Sequence, residues 1–129
     1  MHALDIIRVF LHVLAATVWV GGQLTLVFLL PVLRRHEGAP REAARRFNVV
    51  AWTAFAVLLV TGVWNLLAVG GFDVAEGYRR ILEIKIAVVL LSGVAALLHM
   101  YVSSRRGKAI WGALSGLSAI GALLLGVML

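Results

Sequence analysis

Residues 10–33 read FLHVLAATVWVGGQLTLVFLLPVL, an apolar run whose only ionisable side chain is His12. A helix rising about 1.5 Å per residue needs about 20 such residues to cross the ~30 Å hydrocarbon core of a bilayer. The run is longer than the roughly 7–15 apolar residues of a secretory signal. Its N-terminal flank carries Asp5 as well as Arg8, and no small-residue cleavage site follows, so it is expected to be a retained first membrane helix.

Working outward, the first run begins at about Val9, and three more follow at about residues 47–69, 81–102 and 109–129. Apolar residues make up 62% of the chain and charged residues 14%, against roughly 45–50% and about 25% in a soluble domain. The expected fold is all-α, an integral membrane four-helix bundle forming one domain over residues 1–129. The longest segment outside the spans lies at residues 34–46, with Gly38 and Pro40 as breakers and Pro31 near the end of span one. Within these residues there is no room for a separate soluble domain, so function must be built in the membrane or at its edges.

That segment, RRHEGAPREAARR, carries five arginines, and the SSRRGK turn between spans three and four carries three more basic residues. Basic residues in short loops stay cytoplasmic. Both termini and the GGFDVAEGYRR connection are therefore expected on the extracytoplasmic side of a multi-pass plasma-membrane protein, with Arg79 and Arg80 running against the bias. The pI of about 11.2 is this topology signal and points to a lipid bilayer, with no nucleic-acid partner.

The chain has no cysteine, which excludes disulfides, iron–sulfur clusters and thiolate metal sites. It also has no phosphate-cradling glycine loop and no nucleophile elbow. Any metal must use His, Met, carboxylate or water.

Helical spacing places His12, Ala15, Ala16, Trp19, Gly22 and Gln23 on one face of helix one, the face expected to point inward. Helix two offers Asn48, Trp52, Thr61, Trp64 and Asn65. On helix three, Lys85, Ser92 and His99 repeat every seven residues. Helix four carries Gly112 and Gly116, a GxxxG pair that lets helices approach closely, for bundle packing or for a homodimer or larger membrane complex.

An ionisable group in hydrocarbon normally faces a bundle interior and marks a ligand, proton or ion site. His12 and His99 are the leading candidates, each with a structural alternative as a buried, hydrogen-bonded imidazole. Trp19 falls near mid-membrane, where it packs in the bundle or lines a cofactor path. Lys85 snorkels to headgroups, pairs with Glu83 or Asp5, or meets a substrate anion. The pairs Asp5 with Arg8 and Arg79 with Glu83 read as solvated helix-end decoration, and His36 as a solvated loop residue. His2, beside the terminal amine, is either solvated or part of a Cu(II) grip.

The segments HVLAATVWVGG, RRFNVVAWTAFAVLLVTGVWNLL and YRRILEIKIAVVLLSGVAALLH together resemble the CopD family of membrane proteins associated with copper resistance and uptake. The likeness rests on His12 with the WVGG at Trp19 to Gly22, the RRF at Arg45 to Phe47, the TG at Thr61 and Gly62, and the LEIK ending at Lys85, and it covers spans one to three. A more distant resemblance is to the HemJ family, linked to protoporphyrinogen oxidation and haem binding, through His12, Trp19, Lys85 and His99. The arginine that HemJ places after a Leu-Pro is Val32 here.

In the expected bundle, helices one and three run in the same direction, so depth can be counted from the outer boundary. At about 1.5 Å per residue, His12 lies about 6 Å inside Arg8 and His99 roughly 28 Å beyond Arg80. The difference of about 20 Å far exceeds the ~4 Å between two nitrogens ligated at ~2 Å to one metal. The two histidines are expected to serve two sites. Near the depth of His12 stand Trp64, Asn65, Lys85 and Met128, and an imidazole with a thioether suits copper or haem.

The expected function is therefore a CopD-like protein that handles copper, taken up or transferred through His12 and His99, with His2 and Met128 as further candidate ligands. The alternative cofactor is haem b, in a b-type haem protein or a HemJ-like oxidoreductase, the only enzymatic reading. A third is a noncatalytic small subunit docked through helix four.

Overall fold

A computed structural model of the chain describes residues 2–129. Four helices follow one another, α1 over Ala3–Leu33, α2 over Ala39–Ala68, α3 over Glu76–Tyr101 and α4 over Arg105–Met128, and among the described residues there is no strand. The fold is all-α, and each helix is long and apolar enough to cross a membrane.

Every helix starts before its apolar run. Arginine and glutamate are good helix formers, so the coil continues through the charged turns that flank the hydrocarbon-length stretch. Pro40 shows this most clearly. It stands in the first turn of α2, where its missing N–H costs nothing, so it opens the helix instead of breaking one. Gly38 supplies the left-handed φ of 77° just before it. Pro31 lies inside α1, which ends at Leu33.

The chain divides into two compact helical hairpins, one ending at Val69 and one beginning at Gly70. In the first, α1 and α2 pack antiparallel along the face that carries His12, Ala15 and Trp19. Trp19 is only 3% exposed. Its ring centroid lies 4.5 Å from Phe55 and 5.3 Å from Trp52, making an aromatic knot in the seam. Ala15, Ala51, Ala54 and Leu58 are buried around it. Gly22 is needed for the approach of Phe47, whose ring would stand 2.6 Å from a Cβ there.

The second hairpin is closed by small residues. Ser92, Gly93 and Ala95 of α3 and Ser115, Ser118, Ala119 and Ala122 of α4 are its buried positions. Each of two serines donates to the other's backbone: Ser92 Oγ to the Ser115 carbonyl at 2.9 Å and Ser115 Oγ to the Ser92 carbonyl at 3.0 Å. Small side chains and interhelical hydrogen bonds are what bind helices in lipid, where hydrophobic burial gives no advantage. Ser104 caps α4 by accepting from the Gly107 N–H at 3.0 Å.

Candidate functional site

Spacing of three and four on α1 brings Asp5, Arg8 and His12 to one face, and the same spacing on α2 brings Thr61 and Asn65 to meet them. His12 Nδ1 lies 2.9 Å from Thr61 Oγ1. The Thr61 hydroxyl also lies 2.7 Å from the Val57 carbonyl, one turn back on α2. A carbonyl only accepts, so the single hydroxyl proton goes to Val57 and the Thr61 oxygen accepts from His12 Nδ1–H. That tautomer carries its lone pair on Nε2, the atom through which a neutral imidazole binds a metal.

One turn toward the N-terminus, Arg8 donates to Asn65 Oδ1 at 2.7 Å and to Asp5 Oδ1 at 2.9 Å. Its side chain is 12% exposed. The Asp5–Arg8 pair is thus no solvated decoration: it is tied into the interhelical seam by an asparagine from α2. Trp64, by contrast, is exposed beside Asn65.

In the second hairpin the seven-residue stripe of α3 faces α4. His99 Nδ1 lies 2.6 Å from the Lys108 carbonyl, which fixes it as the donor and again leaves the lone pair of the neutral ring on Nε2. Lys108 Nζ donates back to the His99 carbonyl at 3.3 Å. The imidazole lies over Gly112, where a Cβ would stand 3.1 Å from the ring. The bare backbone of Gly112 is therefore used within the hairpin, while Gly116 is half-buried.

Lys85, at the other end of the stripe, is half-buried, with Nζ 3.2 Å from where a Cβ on Gly126 would lie. Its two expected carboxylate partners are engaged elsewhere, Glu83 with Arg79 at 3.8 Å and Asp5 with Arg8. Met128 is 57% exposed at the end of α4. His36 is exposed in the turn after α1. The His2 amide N–H, which a Cu(II) grip would recruit, donates to Asp5 Oδ2 at 3.3 Å, and the terminal amine lies outside the described residues.

Each membrane histidine is thus anchored inside its own hairpin, His12 on a threonine and His99 on a backbone carbonyl. Among the described residues, no three His, Asp or Glu side chains gather to hold a metal ion. Sequence spacing identified the faces but missed the partners. An antiparallel pairing signal was present, since Arg8 with Asn65 and His12 with Thr61 step by four residues in opposite directions. No sequence signal marks the Lys108 carbonyl.

No family model matches this chain, and no solved structure matches it. A protein of Aquifex aeolicus (strain VF5), described as an uncharacterized protein, is 34% identical over an aligned stretch of 97 positions that covers 70% of this chain and 64% of that protein. The chain spans just under two thirds of that relative's length.

Proposed function

We propose that this membrane protein handles copper as cargo, with the Nε2 atoms of His12 and His99 as its two stations. The supporting observation is the shared anchoring: each ring's Nδ1–H is held by an oxygen of the neighbouring helix. A metal-binding histidine characteristically donates its other N–H in this way, which orients the ring and raises its basicity. Few ligands per station suit transfer, because a conducting site must release what it binds. The resemblance to the CopD family points the same way.

Titration of the purified protein in detergent with copper, followed by elemental analysis and an absorption spectrum, tests this. Bound copper that falls in both His12→Ala and His99→Ala is expected. Thr61→Val removes the oxygen that orients His12 and is expected to weaken copper binding about 10–100-fold while the helices persist. Failure of the protein to bind copper overturns the proposal.

A second reading, a b-type haem site at His12, draws support from Arg8. A largely buried guanidinium one turn from an imidazole suits a haem propionate better than a bare cation. A stoichiometric Soret band lost in His12→Ala would establish haem and remove the copper-only reading. Copper bound without haem would remove the haem reading.

A further inference from the structure

Eight of the ten arginines of this protein fall into two groups; the other two, Arg105 and Arg106, are exposed in the first turn of α4. Arg8, Arg79 and Arg80, near helix N-termini, each have a carboxylate partner, Asp5, Glu83 and Glu76 respectively. Around the turn that joins α1 to α2 the pattern is different. Arg34, Arg35, Arg41, Arg45 and Arg46 are all exposed there, with Glu37 and Glu42 as the acids. Only Arg46 makes an ion pair, with Glu42 at 3.9 Å, and among the described residues the other four have no carboxylate partner.

The four unpaired arginines belong to one short stretch of backbone. Arg34 caps the C-terminus of α1. Arg35 follows it in the turn, and Arg41 and Arg45 share a face of α2 through their four-residue spacing. The apolar sequence resumes at once on both sides, with Val32 and Leu33 before Arg34 and Phe47 after Arg46. The cluster therefore stands at the edge of the hydrocarbon-length segments, the level of lipid phosphates in a bilayer. Guanidinium groups match phosphate oxygens two at a time.

We infer that the α1–α2 turn is a binding surface for anionic phospholipid headgroups, phosphodiesters that carry no compensating ammonium group. Five arginines against two glutamates leave the turn positive, and the missing counter-charge is supplied by the lipid. Basic residues at a membrane surface each add an attraction worth about a fivefold gain in affinity for acidic lipid. This surface is independent of what His12 and His99 carry.

The test uses the full-length protein in detergent, exposed to phosphatidylglycerol or to phosphatidylcholine of the same acyl chains, with retained lipid counted by native mass spectrometry. The wild type is expected to retain phosphatidylglycerol at least about tenfold better. The combined variant Arg34→Gln, Arg35→Gln, Arg41→Gln, Arg45→Gln should lose that preference with its helical content intact. The pair Arg79→Gln, Arg80→Gln should keep it, because those side chains are already neutralised. Equal retention of the two lipids by the wild type, a preference that survives the fourfold variant, or one lost in the control pair overturns the inference. So does displacement of phosphatidylglycerol by millimolar inorganic phosphate, which would make the turn a site for a soluble anion.

Discussion

The two hairpins reach a closed antiparallel seam by opposite means. The first fills its seam with large rings, Trp19 against Trp52 and Phe55, and sets its polar contacts, Arg8 with Asn65 and His12 with Thr61, toward one end. The second strips its seam down to serine, glycine and alanine and places polar contacts both mid-seam, at Ser92 and Ser115, and at the turn, at His99 and Lys108. The lesson is that a helix pair in lipid needs close contact and satisfied polar groups, and side-chain size is free to vary. Large side chains interlock, small ones let the backbones themselves touch.

If that contrast is right, each hairpin has its own weakness. Trp19→Ala should have the largest effect, roughly 3–5 kcal/mol by analogy with other buried aromatic truncations. Unfolding in mixed detergent, followed by proteolysis of the α1–α2 turn, would read it, and an unaltered transition would mean that the aromatic knot is not what closes the first hairpin. The reverse change, Ala95→Leu at a position with 0% exposure, should overpack the second hairpin by about 1–3 kcal/mol. A tolerated leucine would break the small-residue side of the comparison.

Smaller effects sharpen it further. Ser92→Ala and Ser115→Ala each remove one hydroxyl-to-carbonyl bond and should each cost about 0.6 kcal/mol, the average for interhelical hydrogen bonds within membranes, and at most about 1.7 kcal/mol. No loss of stability in either variant would reduce the serines to spacers. Arg46→Gln, which removes an exposed 3.9 Å pair, should leave stability unchanged within error.

The inward faces were legible because helical spacing is a property of the local chain. His12, Ala15 and Trp19 on α1 and Lys85, Ser92 and His99 on α3 could be assigned to stripes before any partner was known. Helix limits were less legible, because hydropathy stops at the first arginine whereas the helical hydrogen bonds do not, as α2 shows by starting at Ala39. The partners were hidden for a different reason. Arg8 and Asn65 are 57 residues apart, and which atoms meet depends on the register of two helices, a cooperative outcome of all their contacts. Thr61 was recognisable as an inward polar residue, yet its role as the acceptor that sets the His12 tautomer follows only from the competing Val57 carbonyl.

The reciprocal serine bonds also bear on how the protein is made. A hydroxyl released into lipid on a lone helix has only its own backbone to turn to, whereas Ser92 and Ser115 complete each other within one hairpin. Emerging helices that satisfy one another in consecutive pairs can leave the insertion machinery two at a time. In the first hairpin the contacts of Arg8 with Asn65 and His12 with Thr61 use α1 and α2 alone, so they need nothing from α3 in order to form. Synthesis order and assembly order then coincide, and the nascent chain avoids holding its charged and polar groups in reserve for a partner not yet translated.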